Sequence, residues 1–255
     1  MMVLPDADAV GAHAADIFDA AARSGSRALG LATGSSTDPI YSELVRRHGG
    51  RDNPYRKMQF YLLDEYLGLP VGHPERYAEV IRRSFADPLG VPFARVHAPD
   101  VDTSEADRAG AAFEQEIADA GGIEVQLLGV GGNGHIAFNE PGTSFDSRTR
   151  VVELAGRTRQ DNARFFGGDL GSVPVRAMSQ GIATILGARR IVLVATGRAK
   201  AEAVAALVRT GPTPFLPVSA LHLHPAATML LDRDAASGLD ADMRGRGQAR
   251  AVVCA

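Results

Sequence analysis

The stretch GVGGNGHIAFNEPG, residues 129–142, overlaps the end of the apolar run EVQLLGV, residues 124–130, and can be read in two ways. Gly129, Gly131 and Gly134 spell G-x-G-x-x-G behind a strand-sized run, the arrangement that cradles a pyrophosphate at the start of a helix in dinucleotide-binding folds. Glu153, about 20 residues further on, even supplies the acid that such a site sets on its ribose. Against this, Asn139-Glu140-Pro141-Gly142 reads as a turn where the fingerprint needs a helix. The run is also the third strand-sized segment of the chain, not the first. The alternative is that the glycines bring backbone close to a small ligand on which Asn133, His135 and Glu140 converge. A histidine flanked by a carboxamide and a carboxylate is a tunable acid or base. A core histidine would need no such polar company.

Outward from this stretch, short apolar runs alternate with longer amphipathic ones. RALGLAT (27–33), KMQFYLL (57–63), EVQLLGV (124–130), RIVLVAT (190–196) and ATMLLD (227–232) are strand-sized, and several are apolar throughout, as strands covered on both faces are. Helices are expected near 7–23, 37–48, 74–85, 104–120, 158–166, 174–186 and 198–209. This alternation predicts an α/β fold with a doubly wound, mostly parallel sheet and helices on both faces, whose ligands sit at the carboxyl ends of the strands. No linker composition divides the chain, so residues 1–255 are expected to form a single domain.

Composition narrows the function classes. The chain has 255 residues, 45% hydrophobic and 22% charged, with a net charge of −3 and its Lys and Arg dispersed, so no footprint for nucleic acid or an anionic membrane is visible. Cys254 is the only cysteine, which excludes an intramolecular disulfide and a thiolate metal cluster. With no apolar leader in MMVLPDADAV, a cytoplasmic location is expected.

Three further strand ends carry unusual chemistry. In LATGSSTDPIYSEL, Thr33, Gly34, Ser35 and Ser36 lie between a strand and a helix, where N–H and O–H donors can face an anion; an N-capping turn would look the same. Asp64 and Glu65 end KMQFYLL, where a carboxylate at the mouth of an apolar strand can be a general base or merely a surface acid. Lys200 follows RIVLVAT in a first helical turn, which the helix dipole disfavours unless an anion sits there, and Arg164 lies near a helix end. Arg159 and Arg198 are expected to be solvated. His222 and His224 in LHLHP could share a strand face, but no carboxylate cluster accompanies them, so no metal is expected.

Taken in order over nearly the whole chain, LDEYLGLP, GVGGNGHIAFNEPG, SRTRVVEL, NARFF and VSALHLHP closely resemble the glucosamine-6-phosphate deaminase family. The resemblance implies a modified Rossmann-like fold and the conversion of glucosamine 6-phosphate and water to fructose 6-phosphate and ammonia, a step of amino sugar catabolism needing no cofactor. It implies that Asp64 moves a proton between C2 and C1, that His135 opens the sugar ring, and that Glu140 helps orient His135. Thr33, Gly34, Ser35 and Ser36 would be the phosphate loop, Arg164 and Lys200 its cations, and Gly129 and Ala137 would lie near the sugar. Asn133 stands where many members have aspartate. It accepts a hydrogen bond from imidazole without supplying a full charge, which puts the pH profile rather than the activity in question.

Two other readings stay open at this point: a 6-phosphogluconolactonase or other sugar-phosphate isomerase of the same fold, and a non-catalytic sugar-phosphate sensor. The expected partner is a small phosphorylated amino sugar, with no nucleic acid and no membrane; homo-oligomer and monomer are both left open. Hexameric members of the family are activated by N-acetylglucosamine 6-phosphate between subunits, through a hydroxyl residue, an arginine and a lysine. Thr143 and Arg150 match the first two, but Val152 replaces the lysine, so coupling is expected to be weak or absent.

Overall fold

The computed structural model describes residues 1–50, 53–102 and 105–240. Cys254 lies outside them. The strands are β1 (Met2–Leu4), β2 (Ala28–Leu31), β3 (Gln59–Leu62), β4 (Asp64–Tyr66), β5 (Val96–His97), β6 (Val125–Leu128), β7 (Arg150–Glu153), β8 (Arg176–Ser179), β9 (Arg190–Ala195) and β10 (Ala227–Asp232). The helices are α1 (Ala7–Arg23), α2 (Asp38–His48), α3 (Tyr77–Ile81), α4 (Asp87–Leu89), α5 (Ala106–Asp119), α6 (Gly156–Asn162), α7 (Ile182–Leu186) and α8 (Ala201–Arg209).

Seven strands form one parallel sheet in the order β1-β10-β9-β6-β2-β3-β5. Its centre is apolar throughout: every residue of β2 and β6 is buried, as strands covered on both faces require. From β2 the chain winds to β3 and β5; from β6 it winds the other way, to β9 and β10. The direction therefore reverses between β2 and β6, and in open α/β sheets the ligand crevice lies at that reversal, beyond the carboxyl ends of the strands. The loops after β2 and β6 flank it.

Helix α1 shows how local sequence sets an element. Asp6 caps it by accepting from Ala9 N–H at 2.9 Å, and Val10, Ala14, Phe18 and Ala21 bury one stripe against the core. Among the described residues, no helix is long and apolar enough to cross a membrane.

Three strands stand apart. β4, β8 and β7 form a small antiparallel sheet, with Asp64 opposite Ser179 and Ser179 opposite Arg150. The expected helix over 174–186 is thus wrong: Arg176–Ser179 is a strand, and only Ile182–Leu186 is helical. Val175, Met178, Ile182 and Ile185 are spaced like a helical stripe, but pairing with β4 and β7 decides the first half. The chain leaves the large sheet at Leu63 and enters the small one at Asp64, so that carboxylate sits where the two sheets meet. Smaller shifts separate other expectations from the structure. The helix expected from 74 begins at Tyr77 and continues through a π turn, Arg82–Ala86, to Leu89. The ends of those expected at 158–166 and 198–209 are tight 3-10 turns, Ala163–Phe166 and Arg198–Lys200. His222 lies in a 3-10 turn, Pro217–Leu223, rather than a strand, and bonds Leu207 O, whereas His224 bonds Ala188 O.

Candidate active site

A cavity of about 400 Å³ opens at the reversal point. Thr33, Gly34, Ser35, Ser36, Asp64, Gly129, His135, Ala137, Arg164 and Lys200 all line it; Asn133 and Glu140 stand behind His135. Residues up to 167 positions apart in sequence are thus brought to one place by four strand ends and the turn after α6.

The glycines of the opening stretch have separate tasks. Residues 131–142 form turns with no helix, which removes the dinucleotide reading. A Cβ at Gly131 would lie 2.1 Å from the His135 ring, so this glycine makes room for the imidazole. Gly134 combines φ +85° with a space that a Cβ would close against Leu216. A Cβ at Gly129 meets nothing within 4 Å, consistent with backbone left bare beside the cavity.

His135 Nδ1 lies 2.7 Å from Asn133 Oδ1, and the His135 backbone N–H donates to the same oxygen at 3.2 Å. Asn133 Nδ2 donates to Glu140 Oε2 at 2.6 Å. A carboxylate only accepts, so the amide must turn its NH₂ to Glu140 and its carbonyl to the histidine, and Nδ1 must carry the proton. Nε2 is then the free lone pair, with no partner among the described residues. Glu140 Oε1 is 3.6 Å from Nδ1, so the carboxylate reaches the imidazole chiefly through Asn133. Burial lowers the His135 pKa, against the pull of Glu140 and with a smaller push from Lys200. Burial thus favours the neutral ring.

The two acids that sequence left undivided are separated by the strand pleat. Glu65 is buried and accepts backbone N–H bonds from Tyr66, Tyr77 and Ala78 at 2.8–3.0 Å, tying β4 to the start of α3. Asp64 faces the cavity and is 8% exposed, and its carboxylate has no hydrogen-bond partner among the described residues. Burial first, and the neighbouring charge of Glu65 second, push its carboxyl up to about 8. A desolvated, unpartnered carboxylate is a strong base. Tyr66, on the same strand face, and Tyr77 and Phe138 supply the apolar wall; Tyr66 accepts from Asn162 Nδ2 at 2.8 Å. These were missed from sequence, though the period of two from Asp64 points to Tyr66.

At the other end, the backbone N–H groups of Gly34, Ser35 and Ser36 find no acceptor among the described residues. The Ser36 hydroxyl, by contrast, is engaged: it accepts from Thr196 N–H at 3.2 Å and pairs with Thr196 Oγ1 at 2.9 Å, stitching the β2 loop to the β9 loop. Thr37 Oγ1 donates to Gly34 O at 2.8 Å and holds the loop's shape. Lys200 is half-buried, its pKa lowered by burial and then by the like charge of Arg164, with Asp161 opposing. Neither cation is ion-paired among the described residues. Arg164 stacks over Phe165 at 4.6 Å. Two adjacent cations and three free N–H groups make a phosphate-sized anion site. Arg159, expected to be solvated, instead donates to Leu170 O and Val173 O at 3.0 and 3.1 Å.

Ala137 has φ +49°, the one positive φ of a non-glycine among the described residues. Such a conformation persists where its surroundings hold it. Here Asn139 N–H donates to Ile136 O at 3.0 Å and Phe138 N–H to Ser179 Oγ at 3.1 Å, pinning the turn on the cavity wall.

Comparison with known proteins agrees with this geometry. The profile of the family described as glucosamine-6-phosphate isomerases/6-phosphogluconolactonase matches residues 6–230. The chain belongs to that family. Among family members, a glucosamine-6-phosphate deaminase from Mycolicibacterium smegmatis is 47% identical over 240 residues, covering 94% of this chain and 92% of its own. One from an Arthrobacter species is 46% identical with the same coverage. A solved structure of a monomeric glucosamine-6-phosphate deaminase superposes with a TM-score of 0.89 at 38% identity, over 93% of this chain and all of that one. A 6-phosphogluconolactonase from Trypanosoma cruzi gives 0.75 at 20% identity, over 93% and 96% of the two chains, a likeness of fold alone.

Proposed function

We propose that this protein is a glucosamine-6-phosphate deaminase, converting glucosamine 6-phosphate and water to fructose 6-phosphate and ammonia. The observation that carries the reading is the placement of a free imidazole Nε2, a buried unpartnered carboxylate and an anion site around one cavity. Each matches a demand of the reaction. His135 Nε2 takes the proton of the anomeric hydroxyl and returns one to the ring oxygen, opening the ring. Asp64 removes the C2 proton of the open-chain aldehyde and delivers it to C1. The C2 imine so formed is hydrolysed by water, releasing ammonia and leaving the ketose. Gly34, Ser35, Ser36, Arg164 and Lys200 hold the phosphate, away from the reacting carbons, and so set the position of C1 and C2.

The test offers purified protein glucosamine 6-phosphate, galactosamine 6-phosphate and 6-phosphogluconolactone in parallel. Equimolar ammonia and fructose 6-phosphate from the first is the expected result. Lactone hydrolysis without ammonia release would establish the second enzyme class, and binding without turnover a sensor.

Two expectations follow from the anion site and its surroundings. Lys200→Ala removes a charge-assisted bond worth roughly 1.5–3 kcal/mol, raising KM for the phosphorylated sugar about ten- to a hundredfold. An unchanged KM, with inorganic phosphate inhibiting as before, removes the lysine from the site. For regulation, Arg150 is held by its own segment, donating to Asn139 Oδ1 at 3.0 Å and Arg148 O at 3.3 Å. Val152 packs against the small apolar cluster containing Tyr66 and Phe138. Kinetics are therefore expected to be hyperbolic in glucosamine 6-phosphate, with little change on adding N-acetylglucosamine 6-phosphate, since an effector acts only through differential affinity for two states. A sigmoidal curve made hyperbolic by that sugar would show the effector site rebuilt from other residues.

A further inference from the structure

We propose that Thr158 is a positioning residue for His135, acting through Glu140 and Asn133. The proposal rests on the deaminase reading for its kinetics but on geometry for its substance. Thr158 lies in α6, is 5% exposed, and its hydroxyl donates to Glu140 Oε1 at 2.5 Å. The other carboxylate oxygen takes the Asn133 NH₂, and the Asn133 carbonyl takes the proton of His135 Nδ1. The chain is directional. A threonine hydroxyl can donate to a carboxylate, the carboxylate can only accept, and the carboxamide offers one donor and one acceptor face.

Each link removes a freedom of the next. Without Thr158 the carboxylate keeps one anchor and can rotate toward His135 Nδ1, 3.6 Å from Oε1. Once Glu140 leaves Asn133, only the long bond from the His135 backbone N–H, 3.2 Å, still favours the carbonyl, and the amide can flip and present NH₂ to the ring. Nδ1 then becomes the acceptor, the proton moves to Nε2, and the lone pair that opens the sugar ring is lost from the cavity. This gives a specific reason for asparagine here: a carboxamide specifies one tautomer, but only if something specifies the carboxamide. Glu140, held in turn by Thr158, does so with the shorter bond, 2.6 Å, and the His135 backbone N–H adds a weaker one at 3.2 Å. The same helix leads through the Ala163–Phe166 turn to Arg164, so the segment bearing a phosphate-facing cation also clamps the histidine's support.

The experiment compares Thr158→Val, which keeps the shape and removes the donor, with Thr158→Ser, which keeps the donor. ¹⁵N NMR of the His135 ring reads the tautomer directly, with assignment by loss of the signals in a His135→Gln sample. The parent and T158S should show protonated Nδ1 and bare Nε2, and T158V a mixture. In steady state T158V should lose about tenfold or more in kcat with KM within twofold, and T158S should restore most of it. The same ring signals in T158V as in the parent, or T158S as impaired as T158V, would overturn the proposal; so would a KM rise at unchanged kcat, which marks a role in phosphate binding only. If T158V does not fold, Thr158→Ala carries the same comparison. A parent protein without ammonia release defeats the functional reading instead, while the ring signals still test the hydrogen-bond chain.

Discussion

Asp64→Asn is expected to lower kcat by at least about a thousandfold while substrate binding stays measurable, because among the described residues the cavity offers the C2 proton no other buried, unpartnered carboxylate and the phosphate is held elsewhere. Near-normal turnover would remove Asp64 from the mechanism. The same substitution has a stability signature of the opposite sign. Burial raises the carboxyl from 3.8 to about 8, so between those values the folded protein holds a proton that the unfolded chain has released. For such a group stability falls as pH rises through that window, and the full penalty is present above about 8. Asparagine has nothing to ionise. D64N should therefore melt above the parent at pH 9 and with it near pH 4; the rise from 3.8 to about 8 corresponds to a penalty of up to about 6 kcal/mol, or roughly 10–20 °C for a chain of this size. Lower melting of D64N at pH 9 would mean that the carboxylate makes bonds in the fold that this geometry does not contain.

His135→Gln should cost about a hundred- to ten-thousandfold in kcat, the usual contribution of one acid–base group, with a small change in KM. Gly131→Ala should reproduce much of that loss with the histidine still present, since its Cβ would occupy ring space 2.1 Å from the imidazole. If G131A were as active as the parent, the position of the ring would not matter to turnover. The glycine would then serve only the turn in which it lies.

That G131A prediction also marks what was legible in the sequence. The parallel sheet was readable because Ala28–Leu31, Val125–Leu128 and Arg190–Ala195 are apolar almost throughout, and a strand buried on both faces has no other pattern. Most residues at the strand ends could be picked out as unusual, since glycines, hydroxyls and charges at such positions rarely serve packing. The small sheet was not readable. Its strands are three or four residues long, Arg176–Ser179 sits within a helix-like spacing, and its pairing partner β4 lies over 100 positions away. Adjacency could not divide Asp64 from Glu65 either. Only the three backbone donors around Glu65 show which acid is structural. Thr158 carried no local signal: its meaning depends on Glu140, brought to it by a turn and a strand. Ser36 was legible as part of the loop, but not that its hydroxyl faces Thr196 rather than the cavity mouth.

The central claim is that burial without a partner makes Asp64 the base. Its most direct measurement is the titration of that one carboxyl in the phosphate-free protein, by ¹³C NMR of carboxyl-labelled aspartate with D64N supplying the assignment. A midpoint near pH 8 is the predicted result, displaced upward from 3.8 by desolvation and by Glu65. A midpoint near 4 would contradict the account, because a carboxylate that ionises as it does in water is solvated or hydrogen-bonded, and its basicity would then be too weak for the proton it is assigned.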